Sequence, residues 1–180
     1  MVDKAYWYVL FVRTGSEEKI VKILNLMWKN RNIVPFVPKK MMVFRRHGKK
    51  SLFSKICFPG YVFLESELPQ YELLKYAFKI LYYLREVYGF LHYKDRSTFA
   101  MRDSEKNMLS KMLGKDRCID MSVGFKEGNV VKVVAGPLSG KENKILRVNR
   151  NKKTVTIEVE MFGMTIEAQV GLEVLERVPS

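Results

Sequence analysis

The sequence predicts a two-domain α+β protein, in which an antiparallel sheet flanked by helices is followed by a small five-stranded β-barrel. An apolar run near the N-terminus is typical of a buried strand, and amphipathic stripes at helical spacing follow it. The last third alternates valine with polar residues between glycine-containing turns. With 180 residues, of which 47% are hydrophobic, the chain is long and apolar enough for two packed cores.

The first strand and the first helix are predicted near the N-terminus. Tyr6 to Val12 is a nearly continuous apolar run, which predicts a central strand. Ser16 is the expected helix N-cap, and Glu17 and Glu18 complement the helix dipole in the first turn. The stripe expected to face the core is Ile20, Ile23, Leu24, Met27 and Trp28.

In the rest of the first domain, the sequence predicts a β-hairpin, two further strands and two further helices. The predicted strands are residues 41–44, 52–58, 61–64 and 87–93. Gly48 permits a positive φ at the tip of the hairpin. One helix begins at Pro69, and the other is capped by Asp103 or Ser104. The core-facing stripe of the Pro69 helix is expected to be Leu73, Leu74, Ala77, Phe78, Leu81 and Leu84.

The last third predicts the barrel. Its candidate strands are residues 129–135, 142–149, 154–160, 164–170 and 173–178. Short strands at regular spacing are typical of a small closed barrel, and their valine-rich alternation has no helical period. A segment with two glycines and balanced charge is expected to link the domains. The predicted boundaries are therefore 1–112 for the first domain, 113–124 for the linker and 125–180 for the second domain.

Positive charge is concentrated in the first predicted domain. The chain has 32 Lys and Arg residues against 19 Asp and Glu residues, a formal net charge of +13. Residues 1–112 contain 21 basic and 10 acidic residues, a net of +11, whereas residues 125–180 contain 9 and 7, a net of +2. This balance favours an acidic partner such as nucleic acid, or less often a membrane surface, for the first domain.

The sequence argues against an enzyme, a metalloprotein and a membrane protein. Cys57, Cys118, His47 and His92 have no metal-ligand spacing. No nucleotide-binding or nucleophile motif occurs, and no apolar segment approaches ~18 residues. No catalytic residue, cofactor or metal is therefore expected, and two unpaired cysteines suit a reducing, cytoplasmic compartment.

Three motifs occur in order along the chain, and they begin at Trp7, Phe58 and Gly136. Together they resemble the NusG family of transcription elongation factors. Trp7-Tyr8-Val9, followed by Arg13 and Gly15, resembles the opening of that family's N-terminal (NGN) domain. Phe58-Pro59-Gly60-Tyr61-Val62-Phe63 resembles the family's most recognisable segment. Gly136-Pro137-Leu138-Ser139-Gly140 resembles the turn of a KOW motif, a small β-barrel module. The resemblance covers nearly the whole chain, and the strongly basic first domain is most like that of LoaP, a specialised antitermination paralog, with an RfaH-like paralog as the alternative.

The resemblance implies a factor that promotes transcription elongation or antitermination. Its NGN domain would rest on the clamp of RNA polymerase, and its KOW domain would reach a second protein. A nascent RNA hairpin, non-template DNA or both would recruit it. A monomer without membrane contact is expected. The alternative is a general RNA-binding or ribosome-associated KOW protein that does not contact polymerase.

Aromatic residues of the NGN-like domain are the candidate polymerase-binding site. Aromatic rings suit such an anchor because they bury a large area at a small entropic cost. Ordinary core packing is the competing interpretation of the same rings, since the strand that contains Tyr61 is apolar on both faces. The candidate residues are Phe11, Phe58, Tyr61, Phe63 and Phe90.

Basic residues of the same domain are the candidate nucleic-acid-binding site. Seven of them lie between Lys39 and Lys55 without an intervening acidic residue, and neutralising phosphates requires such clustered cations. The same charges would also keep an edge hairpin from pairing with other chains. An ordinary solvated helix face is the competing interpretation for the three outside this segment. The candidate residues are Arg13, Lys22, Lys29, Lys39, Lys40, Arg45, Arg46, Lys49, Lys50 and Lys55.

Overall fold

The structure is a computed structural model. Its described part contains twelve strands and three α-helices. The described residues are 5–29, 32–46, 49–128 and 130–175. The helices are α1 (Glu17–Met27), α2 (Gln70–Leu81) and α3 (Asp103–Leu113). The first six strands are β1 (Tyr6–Val12), β2 (Ile33–Phe36), β3 (Lys39–Arg46), β4 (Lys49–Ile56), β5 (Tyr61–Ser66) and β6 (Val87–Phe90). The others are β7 (Cys118–Ile119), β8 (Ser122–Glu127), β9 (Val130–Ala135), β10 (Ile145–Asn149), β11 (Thr154–Met161) and β12 (Met164–Leu175).

Two compact units, interleaved in the sequence, contain these elements. The first unit consists of Met1–Val37, Phe58–Lys106 and Met161–Gly163. The second unit consists of Pro38–Cys57, Asn107–Glu160 and Met164–Ser180. The domain boundaries derived from the sequence stay a prediction, although the expected linker contains β7 and the start of β8.

A four-stranded sheet in the order β2-β5-β1-β6 forms the first unit's framework. Its neighbouring strands are antiparallel, as expected from the sequence. The apolar run of β1 is the centre of this sheet, and Tyr8, Val9 and Leu10 are fully buried. The α+β class is confirmed.

Each helix of this unit buries one narrow stripe. α1 buries Ile20 and Leu24, and α2 buries Leu73, Ala77 and Leu81 at intervals of four residues. The predicted stripes were too wide. Met27, in the last turn of α1, is exposed, and so is Phe78 of α2.

The second unit contains two sheets. One has the order β4-β3-β7, and the other has the order β10-β11-β12-β8-β9, which corresponds to the expected five-stranded module. Two strand predictions for this module were wrong. β8, which begins in the expected linker, was missed, and the strands predicted at 164–170 and 173–178 are one strand, β12, as far as Leu175. Residues 176–178 of the second prediction lie outside the described residues.

Gly171 explains why β12 continues through a residue that the sequence suggested as a break. A Cβ at this position would lie 2.7 Å from the carbonyl oxygen of Met41 and would collide with the sulfur of Met121. Only glycine allows this close approach of backbone and side chain. The glycine therefore serves packing within a continuous strand and does not form a turn.

Candidate functional site

Three aromatic rings form an exposed cluster on the sheet of the first unit. Phe11 of β1 is opposite Tyr61 of β5, and their ring centroids are 5.8 Å apart. The ring of Tyr88 in β6 is 5.2 Å from that of Phe11. Phe11 is 43% exposed and Tyr88 is 60% exposed, whereas Tyr61 is half-buried. We call Phe11, Tyr61 and Tyr88 the aromatic cluster.

The other three rings predicted for this surface are buried, which corrects the expectation that they present themselves to a partner. Phe63 follows Tyr61 on the same face, but the rings of Trp7, Phe36 and Phe58 cover it at centroid distances of 6.0, 5.5 and 6.1 Å. Phe58 and Phe63 thus belong to the buried core on the same face of the sheet as the cluster.

Phe90 lies on the opposite face of the sheet from the aromatic cluster. It is in register with Leu10, whereas Phe11 is in register with Gly89. Its ring packs against Phe78 and Phe99 at 6.1 and 6.2 Å and is buried. Strand alternation therefore excludes Phe90 from the surface that Phe11 presents.

Tyr88 is a functional candidate that the sequence did not reveal. Regular alternation would put it on the face opposite Phe11, because it is two residues from Phe90. A register shift opposite Phe11 and Val12 redirects it, so that its ring contacts Phe11 instead. Such bulges re-aim side chains and are frequent beside binding sites. Gly89 was the available signal, since glycine within a strand often marks a bulge.

An open groove adjoins the aromatic cluster. It has a volume of about 410 Å³ and lies between the end of α2 and β6. Its lining is largely apolar and includes Tyr88 itself, with Phe78, Tyr82 and Phe90. Phe78 is 57% exposed, and Tyr82 is more exposed still. Tyr88 belongs both to the aromatic cluster and to the lining of the groove.

Glu17 holds the turn that carries Tyr61. Its carboxylate is buried and accepts hydrogen bonds from the backbone N–H groups of Gly15, at 2.7 Å, and Gly60, at 2.6 Å. Gly60 has a φ of +86° and packs against the Val12 carbonyl, so a side chain there would be strained. Glu17 thereby ties the first turn of α1 to the two turns that flank Phe11 and Tyr61. The sequence suggested only a helix-dipole role for Glu17.

The three basic residues predicted around α1 do not form one helix face. Lys22 lies exposed on α1, whereas Lys29 follows the end of the helix at Met27. The guanidinium of Arg13 is 3.7 Å from the carboxylate of Glu86. A hydrogen bond from Lys19 lowers the pKa of Glu86, and Arg13 adds to this effect.

The basic hairpin is formed by β3 and β4 in the second unit. Its register puts Lys40 opposite Lys55 and, nearer the tip, pairs Arg45 with Lys50 and Arg46 with Lys49. Like charges directly opposite each other destabilise a sheet. Among the described residues of this hairpin, Lys50 has an acidic neighbour in β12, Glu173, at 3.7 Å.

Not every predicted basic residue of the hairpin is available to a ligand. Lys40 is buried, and burial lowers the pKa of its ammonium group, so its prediction as a surface contact is corrected. Lys39 is half-buried, whereas Lys50 and Lys55 are exposed. The tip residues His47 and Gly48, and the side chains of Arg45, Arg46 and Lys49, lie outside the described residues.

Charges in the five-stranded module are balanced by neighbouring acids. Arg147 binds Glu167 at 2.6 Å and Lys144 binds Glu160 at 3.3 Å. Lys153 binds Glu173. Pairing of this kind reduces the positive potential that the module offers to a phosphate backbone.

The cysteines show no feature of a reactive or metal site. Cys57 and Cys118 are both free. Burial raises the pKa of the Cys57 thiol to about 12 and also raises that of Cys118. Within the described ranges, no group of three or more His, Cys, Asp or Glu residues could hold a metal ion. No helix in the described part of the chain is long and apolar enough to cross a membrane.

Comparison with known protein families identifies the N-terminal part of the chain. Residues 5–110, more than half of its length, match the model of a family described as transcription termination factor NusG. The chain belongs to the NusG family. Residues 127–158 match the KOW motif, in the five-stranded module. The predicted NGN-plus-KOW organisation is thus confirmed.

Curated NusG proteins match most of the chain. The transcription termination/antitermination protein NusG of Thermus thermophilus is 28% identical, and the match covers 87% of this chain and 90% of the relative. The NusG protein of Borreliella burgdorferi is 23% identical, with 96% and 98% covered. A solved structure concerning domain interaction in Thermotoga maritima NusG matches at 21% identity and a TM-score of 0.47, over 94% of both chains.

The chain is therefore a NusG-family transcription termination/antitermination factor and not an enzyme. The relatives named above are general NusG proteins at low identity. The predicted family is confirmed at this level, and the closer likeness to LoaP stays a prediction.

Proposed function

We propose that this NusG-family factor promotes elongation or antitermination by binding the clamp of RNA polymerase through the aromatic cluster. The observation that carries the proposal is the exposed group of Phe11, Tyr61 and Tyr88. Partly exposed aromatic rings beside an apolar groove have the composition of an interface centre. The rings of Phe58 and Phe63 are buried in the core next to the cluster and do not contact the polymerase.

A nucleic-acid signal recruits the factor through the basic hairpin, in this proposal. The +11 net charge of residues 1–112 and the facing cations of β3 and β4 support the proposal, because opposed like charges are relieved by a phosphate backbone. An RNA hairpin is the preferred signal, with non-template DNA as a further ligand. Arg13, Lys22 and Lys29 supplement the hairpin at a second, less concentrated basic site.

The KOW module contacts a second protein, in this proposal, through an open groove. The groove has a volume of about 470 Å³ and is lined by apolar residues including Val130, Ile145 and Leu146, with Lys126 and Arg150 among its polar residues. Apolar lining with a few charged groups suits a protein partner. The factor acts as a cytoplasmic monomer. It is of the LoaP type, because the basic hairpin, and not the charge-balanced KOW module, selects its target.

Transcription through an intrinsic terminator tests the activity. Purified RNA polymerase should read through the terminator more often with the full chain than without it, on a template whose leader encodes the recruiting RNA hairpin. Combined Phe11→Ala and Tyr88→Ala substitutions should abolish the increase, whereas Tyr71→Ala on α2, also an exposed aromatic residue, should retain it. Unchanged read-through with the wild-type chain would contradict antitermination.

Electrophoretic mobility shift tests the recruitment. The full chain should shift a leader RNA hairpin or single-stranded non-template DNA at concentrations that leave an unrelated nucleic acid unshifted. Binding no stronger than to the unrelated control would contradict the recruitment claim. It would favour the alternative of a general RNA-binding or ribosome-associated KOW protein only if polymerase binding also failed.

A further inference from the structure

One face of the basic hairpin combines exposed aromatic rings with lysine. Phe44 of β3 and Phe53 of β4 are diagonal neighbours on the same face, because Met42 is in register with Phe53 and Phe44 with Ser51. Their ring centroids are 6.2 Å apart and the rings are perpendicular, at 89°. Phe44 is 52% exposed, and Phe53 is half-buried. Core packing therefore does not account for this pair.

Lys55 completes this face. It is exposed and projects from the same side of β4 as Phe53, and its ammonium nitrogen lies 5.6 Å from the centroid of the Phe53 ring. Lys55 is also directly opposite Lys40 in the hairpin, so two positively charged side chains repel each other. A nearby anion would relieve this repulsion, which aromatic packing alone cannot do.

We propose that Phe44, Phe53 and Lys55 form a stacking site for unpaired bases of a nucleic-acid strand. The inference rests on the proposed binding of nucleic acid by the basic hairpin, and it adds which feature of the ligand is recognised. An unpaired base stacks on the exposed Phe44 ring, which Phe53 supports from the side. Lys55 contacts a phosphate next to that base. Aromatic rings in a basic surface bind single strands in this way, and paired bases cannot reach them.

Charge favours a nucleic acid over an apolar protein partner at this hairpin. No acidic residue occurs from Lys39 to Lys55, and seven basic residues do. A protein partner would need to supply matching carboxylates around an apolar centre, whereas a nucleic acid supplies phosphates and aromatic bases together at a regular spacing. The predicted RNA hairpin would then be recognised at its loop or at a bulge and not along its paired stem.

Fluorescence anisotropy of labelled oligonucleotides with the full chain tests the inference. The probes are a single-stranded RNA, a single-stranded DNA of the same sequence, a blunt RNA duplex, and the RNA strand with abasic sites in place of its central bases. Phe44→Leu retains an apolar side chain but removes the stacking surface. Leu52→Ala changes another exposed apolar residue of β4 and serves as the matched control. Circular dichroism confirms that each variant is folded.

The expected result is a loss of ~10-fold in affinity of Phe44→Leu for the single-stranded probe, with no change for the duplex or the abasic strand. Leu52→Ala should bind every probe like the wild type, and comparison of the RNA and DNA probes identifies which strand is the ligand. Equal affinities of Phe44→Leu and wild type for the single strand would overturn the stacking site while leaving recruitment intact. Failure of the wild type to bind any probe above the non-specific level would overturn both.

Discussion

Glu17 is the residue on which the geometry of the aromatic cluster depends. Its buried carboxylate accepts hydrogen bonds from the backbone N–H groups of Gly15 and Gly60. Among the described contacts of these two turns, neither N–H group has another hydrogen-bond partner. The bonds fix the Gly60 turn, from which β5 and Tyr61 begin. A polar residue in the first turn of a helix thus determines the position of an aromatic ring on a neighbouring strand.

Glu17→Gln should lower the free energy of unfolding by about 1–3 kcal/mol. A glutamine amide can accept one of the two hydrogen bonds, but its NH₂ group would face the second backbone N–H. Urea denaturation measures the change. Glu18→Gln, at the adjacent exposed position, is the control and should change stability by no more than about 0.5 kcal/mol. Equal effects of the two substitutions would mean that the two hydrogen bonds contribute nothing specific.

The free energy of unfolding should fall as the pH rises above about 9, because the thiol of Cys57 is buried. Burial raises the pKa of its thiol from 9.0 to about 12 in the folded state. Between these values the unfolded chain releases a proton that the folded chain keeps, so the free energy of unfolding falls with rising pH and the contribution is fully present only below pH 9.

Denaturation of the wild type and of Cys57→Ala at pH about 8 and about 10 isolates this effect. The variant is expected to be less stable at both values because it lacks a buried side chain, but its stability should fall less between them. Parallel losses in the two proteins would show that ionisation of Cys57 is not coupled to unfolding.

At the scale of secondary structure elements, the sequence predicts where strands and helices occur better than it predicts which of their side chains are exposed. The runs and stripes at β1, α1 and α2 predicted these elements because apolar periodicity is a local property of the chain. Phe63 was predicted at the surface because alternation cannot show that Trp7, Phe36 and Phe58 cover it. Tyr88 was missed because a bulge changes the face of a strand without changing its composition.

The same distinction explains the predictions for the basic residues. A lack of acidic residues predicted the hairpin as a charged element, and the register of β3 and β4 agrees with that prediction. Burial of Lys40 depends on contacts with residues distant in sequence, and α1 ends at Met27, before Lys29. Neither is encoded in local spacing. The roles of all these residues in binding stay predictions.

The hairpin and the KOW module should differ in the salt dependence of nucleic-acid binding. Lys55→Gln should lower the slope of log affinity against log salt concentration by about 0.7–0.9, because one phosphate contact is lost. Lys144→Gln in the KOW module should leave the slope unchanged, since Glu160 already balances Lys144. Anisotropy titrations over a series of salt concentrations measure both slopes. An equal decrease in the two variants would contradict the assignment of nucleic-acid recognition to the hairpin.

At the scale of the whole molecule, the proposed binding surfaces are formed by different residues. The aromatic cluster lies in the first unit, and the basic hairpin and the KOW groove belong to the second. Family membership makes the chain a transcription factor, and the proposal assigns one partner to each surface. Because the surfaces differ in chemistry, a single substitution can remove one activity while retaining the others.

The affinity of the full chain for purified RNA polymerase tests the central claim most directly. Tyr61→Asp puts a charge in the aromatic cluster, next to Phe11, and burying that charge in the interface would require its desolvation. The wild type and the exposed-aromatic control Tyr71→Asp should bind polymerase equally, and Tyr61→Asp should bind at least ~10-fold more weakly while retaining its affinity for nucleic acid. Wild-type affinity of Tyr61→Asp for polymerase would contradict docking through the aromatic cluster.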